Sequence, residues 1–444
     1  MHKHYLLQQS LLLALLTTLS FSCKSSPTGP HIGQNLQLST DYVTCTEVSL
    51  KLAYSGQPSV VSGGEFKMTR DGDTVLTGNL TGSDTTVIDT TAEPEQAYTY
   101  KAYRYIRNQV SDTSLPLQVT TMDTTSSNFT WQTYTFGNGV SSSDFEDVAI
   151  INDTLAYAVG AIYLNDSTGH TDPLPYNLAV WNGVSWQVKR VSVPFRGYTV
   201  TVPLYGTFAF SPAQVWLVGD IAVFGNGLSW VSNDIRSLTG DDSLLCEKCW
   251  GSKFNDMYFV GLNGGIVHYD GYTWNKIESG TTLDVHDIWG VTDKNSGSQE
   301  VLAVGSDAFT NNGVSILQLS ASGASRLQTS TLPTTTLVGI WSADGKEWYV
   351  CGDGLYISRG LDRPWQHITD IPSIFSESVR GTGPNDVFVV GDFGLVSHFN
   401  GVRWQTFPQL SFSNGQYNSV SVNGNTVIAV GEVGSYATVL IGKR

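Results

Sequence analysis

Basic charge is what this 444-residue chain has least of: 24 Lys and Arg stand against 39 Asp and Glu, a net charge of -15. The broad basic footprint that neutralises phosphates is absent, so no nucleic-acid partner is expected. Charge of either sign is sparse, at 14% of residues, which excludes long charge-laced helices. Beyond the N-terminus no apolar run is long enough to span a bilayer. Signatures of activated nucleophiles and phosphate cradles are also missing: there is no G-x-S-x-G, no H-E-x-x-H and no G-x-x-x-x-G-K-[ST]. No cofactor is expected.

What is present suits a turn-rich all-β protein. Gly numbers 45 and hydrophobic residues make up 41%, enough for a packed core between many tight turns. At the N-terminus, His2, Lys3 and His4 precede an apolar stretch, Leu11 to Leu19, of signal-peptide length. Leu19-Ser20-Phe21-Ser22-Cys23 resembles a bacterial lipobox. The resemblance implies a signal peptide over 1–22, a lipid on Cys23, a tether over 23–34 and a place at the cell envelope. Each acyl CH₂ buried in the bilayer would contribute about 0.8 kcal/mol.

Of the other cysteines, Cys351 occupies an apolar strand position and Cys45 has no local partner. Cys246 and Cys249 form a lone C-x-x-C. Export favours a local disulfide there, with free structural thiols as the alternative. Zinc would need two further ligands, so no metal is expected.

Residues 35–122 read as an Ig-like sandwich. Val43 to Leu52 contains an alternating stretch, and Phe66 to Arg70 runs through Asp71-Gly72 into Thr74-Val75-Leu76, a hairpin signal. Ala92-Glu93-Pro94-Glu95-Gln96-Ala97-Tyr98 resembles the E–F corner of fibronectin type III domains, where a Tyr follows Pro by four residues and its hydroxyl bonds back to the backbone. Ala92 stands where Leu is usual, and the second-strand Trp is absent. Residues 123–127 form a linker.

From residue 128 onward the chain repeats. A short apolar strand ends in Val-Gly or a variant at Gly160, Gly219, Gly261, Gly305, Gly352, Gly391 and Gly431, a mean spacing of about 45 residues, the length of a four-stranded propeller blade. Asn182-Gly183, Asn226-Gly227, Asp270-Gly271 and Asn400-Gly401 are expected to form type I′ turns, each followed by a Trp three residues after the glycine. Trp186, Trp230, Trp274 and Trp404 are therefore expected to fill the space between blades. Counting back 11 residues from the repeat glycine reaches Ala149, Phe208, Trp250, Trp341, Arg380 and Val420, the register of the innermost strand. The fourth unit carries five extra residues after Trp289. Trp131-Gln132-Thr133 resembles Trp404-Gln405-Thr406, and is expected to supply the outer strand that the last unit lacks. The expectation is a seven-bladed β-propeller over 128–444.

Asn385 to Trp404, and a second copy from Asn255 to Trp274, resemble the repeat of a group of exported bacterial propellers. Their architecture is similar to that of sialidase-like and photosystem-assembly-factor propellers. The sialidase Ser-x-Asp-x-Gly-x-x-Trp box is not matched, since Asp270 and Gly271 are adjacent.

Three positions before the inner-strand register lie Glu146, Tyr205, Glu247, His286, Val338, Glu377 and Tyr417. In a propeller they gather around one channel mouth, where three carboxylates, a His and two Tyr could hold a ligand. His268 and His398 share a repeat position in separate blades and read as structural. Asp220, Asp353, Asp392 and Glu432 follow Val-Gly units and read as turn residues that bond nearby N–H groups. The resulting expectation is a monomeric, non-catalytic binding or scaffold lipoprotein presenting a propeller face to a glycan, peptide or envelope protein. The alternative is a carbohydrate-active enzyme (glycoside hydrolase, lyase or glycosyltransferase-like) using the mouth carboxylates.

Overall fold

The computed structural model describes residues 35–55, 64–80, 82–293, 296–307, 313–328, 331–332 and 336–444. The expected signal peptide, lipid site at Cys23 and tether lie outside these residues. Among the described residues regular structure is nearly all β, broken by one helical turn at Ile235–Thr239 and two 3-10 turns. None of their helices is long and apolar enough to cross a membrane.

The chain forms two compact units. The first takes in residues up to 39, 51–87 and 99–118, and the second takes in 40–50, 88–98 and 119–444. Strands of the N-terminal region form two sheets: Leu36–Val43, Val48–Tyr54 and Asp84–Asp89 in one, and Asp73–Asn79, Glu65–Arg70, Ala97–Ile106 and Gln109–Thr113 in the other, where Leu117–Thr120 also pairs with Ala97–Ile106. Val48, Leu50 and Leu52 are buried on one face of their strand; on the other, Lys51 is exposed but Ser49 is buried. Tyr98 Oη accepts the Glu93 N–H at 2.9 Å. In the first unit Arg104 and Asp112 form a buried ion pair, 3.5 Å, with the guanidinium 4.2 Å from the Tyr54 ring centroid.

The second unit holds the propeller. Seven four-stranded antiparallel sheets are present among the described residues: 144–189, 204–233, 246–276, 284–326, 337–368 and 376–406, then 415–443 joined by Thr130–Phe136 (sheets 1 to 7 in that order). Each inner strand packs on the next, and Gly415–Asn423 packs on Asp144–Asn152. Apolar clusters fill the space between successive sheets. Trp186 of sheet 1 meets Ile428 and Val439 of sheet 7 in one, and Trp274 of sheet 3 meets Trp216 of sheet 2 in another. Trp230 and Trp404 occupy the equivalent seams, so the turn-linked Trp residues do fill inter-sheet space. Burying an aromatic of this size is worth roughly 4–6 kcal/mol of transfer free energy.

The closing strand Thr130–Phe136 runs antiparallel to Tyr436–Lys443, with Trp131 opposite Gly442. Just before it, Ser127 Oγ lies 2.8 Å from His398 Nδ1, whose Nε2 lies 2.9 Å from Asp386 Oδ1. Arg444 grips the same carboxylate through both terminal nitrogens, at 2.9 and 2.7 Å. His268 repeats the pairing with Asp256 at 2.8 Å. Each His also stacks on an aromatic ring, Phe388 or Tyr258.

Two sequence expectations fail locally. The Asn-Gly and Asp-Gly turns are not type I′: only the glycines take positive φ, 80° to 95°. Instead the side chain does the work of the second inverted residue. Asn182 Oδ1 accepts the N–H groups of Val184 and Ser185, and Asp270 Oδ1 those of Tyr272 and Thr273. The Cys246–Cys249 disulfide is not formed, and both residues are buried free thiols. They lie on one extended strand, opposite Gly261 and Phe259. Three residues of strand span roughly 10 Å, beyond the ~7 Å Cα separation that a disulfide tolerates. Burial pushes the Cys246 thiol up to about 12.

Candidate functional site

Every inner strand carries a β-bulge near its start. The repeat glycine pairs with the residue before the bulge: Phe145 with Gly160, Leu204 with Gly219, Cys246 with Gly261, and so on round to Tyr417 with Gly431. A Cβ on Gly160 would land on the Asp144 carbonyl oxygen, and one on Gly431 on that of Gln416. At six of the seven repeat positions the Val-Gly signature therefore marks a strand approached too closely for any side chain, Gly305 being the looser exception. The extra residue of each bulge is left out of the ladder and re-aimed.

The bulged residues are Glu146, Tyr205, Glu247, His286, Val338, Glu377 and Asn418. Six are the residues expected from the sequence. In sheet 7 Asn418 takes the place expected for Tyr417, which points into the apolar seam with Phe388 and Val396 and is buried. The slip has a simple cause. The hairpin of sheet 7 closes at Asn423–Thr426 without the second irregularity that sheets 1, 2, 3 and 6 carry, so its glycine sits one residue nearer the bulge.

Glu146, Tyr205, Glu247, His286 and Glu377 stand within one another's electrostatic field. Burial, then Asp144, Glu432 and Glu247, hold the Glu146 carboxyl up at about 7, against a lowering pull from Lys248. Burial, then Asp392, Glu432 and Glu146, hold Glu377 at about 7. Glu247 is raised by burial and partly relieved by Lys248 and His286. The Tyr205 hydroxyl is raised by burial and by Asp220, Glu247 and Glu146 among its neighbours. His286 Nε2 lies 3.0 Å from the Ser306 carbonyl oxygen. Asn418 donates to the Phe145 carbonyl at 2.9 Å and to Glu432 at 3.1 Å.

Sequence reasoning missed part of this set. Asp392 and Glu432 are not merely turn residues, because they stand close enough to raise Glu377. Asp144 belongs to the same field. The signal available was a carboxylate at a fixed offset from the repeat glycine or from the bulge. Lys248 was also missed: its ammonium donates to the carbonyls of Glu146 and Tyr205 at 2.9 and 3.1 Å.

One residue further along their strands, Asp147, Lys248 and Asp287 line a cavity of about 200 Å³. Asp147 accepts the N–H of Thr207 in the next sheet at 3.0 Å and the Ser419 hydroxyl at 2.6 Å, with Lys248 Nζ at 3.5 Å. Asp287 accepts the Ile340 N–H at 2.9 Å and a two-pronged Arg380, 2.9 Å at each oxygen. These carboxylates staple neighbouring sheets.

No known protein family matches the chain, and no curated protein matches it. Among solved structures it is similar to one described as YCF48 bound to D1 peptide, at 13% identity and a TM-score of 0.50 over 72% of this chain and 96% of that one. It is also similar to the WD40 β-propeller domain of Doa1, at 12% identity and a TM-score of 0.51 over 71% of this chain and 98% of that one. At such identity the likeness speaks to the fold alone, and on that point it is clear: the chain carries a β-propeller.

Proposed function

We propose that this protein is a non-catalytic binding scaffold of the bacterial cell envelope, whose propeller mouth receives a peptide or protein segment carrying a basic side chain. The propeller has seven blades, one for each four-stranded sheet. It follows a fibronectin type III-like sandwich and a lipid anchor at Cys23. Cyclic packing of the seven inner strands supports the blade count. The bond from the Glu93 N–H to the Tyr98 hydroxyl supports the type III reading. The single observation that carries the binding reading is the convergence of Glu146, Glu247 and Glu377, from three different sheets, with their carboxyls raised by burial. An arriving cation relieves the repulsion among them and replaces lost solvation.

A labelled Lys/Arg-bearing peptide, its Gln-substituted twin and a glycan array test this reading on the purified protein. The basic peptide is expected to bind at least tenfold more tightly at pH 8 than at pH 6, because the two carboxyls near 7 lose their charge in between. Glu146→Gln with Glu377→Gln should erase that difference. Equal binding of both peptides at pH 8 overturns the reading.

A second reading rests on the same pair. Two mutually repelling carboxyls titrating near neutrality could divide into an acid and a base for glycoside cleavage. Turnover of any glycan that survives both Gln substitutions would exclude it.

A further inference from the structure

Outer strands of a propeller leave edges that other chains can pair with, and proteins keep such edges short or charged. Six of the outer strands here obey. They span three or four residues, and three of them end on a cation: Trp186–Lys189, Trp274–Lys276 and Gly323–Arg326. The closing strand of sheet 7 does not. Thr130–Phe136 is seven residues long, Thr-Trp-Gln-Thr-Tyr-Thr-Phe, with no charge and no proline, and it pairs in unbroken register. It is the end strand of its sheet, bonded to Tyr436–Lys443 on one side. Among the described residues no backbone bond reaches its other edge. Thr130, Gln132, Thr133 and Thr135 are exposed.

We propose that this edge is a self-association surface, on which the same strand of a second copy of the chain pairs antiparallel about a two-fold axis through Thr133. The sequence is suited to its own inversion. Thr130 falls opposite Phe136, Trp131 opposite Thr135, Gln132 opposite Tyr134, and Thr133 opposite itself. Two of these are pairs of an aromatic with a β-branched residue and one is Thr–Thr, combinations that favour strand pairing. No like charges meet, although the whole chain carries -15. Such a contact is isologous and closes as a dimer, joining two four-stranded sheets into one of eight. Its small area sets a weak affinity, on the order of micromolar to millimolar. The inference replaces the monomer suggested by the sequence and does not depend on the channel mouth.

Sedimentation equilibrium of the purified full chain in density-matched detergent, from about 1 μM to 1 mM, tests it. The mass is expected to rise toward that of a dimer. Thr133→Lys with Thr135→Lys places like charges on the pairing edge and should move the midpoint to at least tenfold higher concentration. Val184→Lys, on an exposed turn of sheet 1, should leave it unchanged, and circular dichroism checks that each variant folds. A protein monomeric throughout overturns the proposal. So does a lysine pair that dimerises like the unaltered chain.

Discussion

Glu146 and Asp147 are neighbours in the chain, yet the fold treats their carboxylates in opposite ways. Asp147 is fully engaged by Thr207, Ser419 and Lys248 across two sheet boundaries. Glu146 lies half-buried among other carboxylates, and only Lys248 pulls its carboxyl downward. A bulge likewise sets His286 beside Asp287, which Ile340 and Arg380 engage from other sheets. A bulge is what separates the two: it sends one residue to the mouth and the next into the wall. Acidic residues of this channel are therefore of two kinds, those that hold the sheets together and those set among like charges.

The wall should yield the largest effect. Arg380→Met strands Asp287 in a buried site, and urea unfolding is expected to show a loss of about 3–5 kcal/mol. Adding Asp287→Asn should recover part of it, since the uncompensated charge is then gone. A loss well under 1 kcal/mol would erase the distinction between wall and mouth.

Mouth carboxylates should behave with the opposite sign. Their folded-state value near 7 lies above the ordinary 4.5, so the folded chain holds protons that the unfolded chain releases. Stability on this account falls as pH rises from 4.5 to 7 and stays low above it. Glu146→Gln or Glu377→Gln is expected to stabilise the protein by about 1–3 kcal/mol at pH 8 and to change little below pH 4.5. Thermal melts across that range check both halves of the claim. The smallest effect belongs to Tyr417→Phe: since Asn418 and not Tyr417 reaches the mouth, binding of a basic peptide should stay within about twofold.

Much of this was legible in the sequence because the repeat glycines and the turn Trp residues are each forced by local geometry. Gly160 and its equivalents other than Gly305 have no room for a side chain, and Trp186 and its equivalents stand at a fixed offset from a fixed turn. What escaped depended on geometry that spacing alone does not encode. The missing irregularity in the last hairpin shifted Tyr417 off the mouth. Cys246 and Cys249 look close in sequence but are held apart by an extended strand. Asp386 and Asp256 lie 12 residues before the histidines they pair with, so the His pair was visible while its carboxylate partners were not. Asp392 and Glu432 reach the mouth from the strand beyond the repeat glycine, which a reading of the inner strands passes over.

Selective ¹³C labelling of glutamate side chains, with the carboxyl resonances followed from pH 4 to 9, addresses the distinction at its source. The resonances that vanish in Glu146→Gln and Glu377→Gln are expected to titrate with midpoints near 7. Midpoints near 4.5 for both would show that the mouth is no different from open solvent, and would contradict the account.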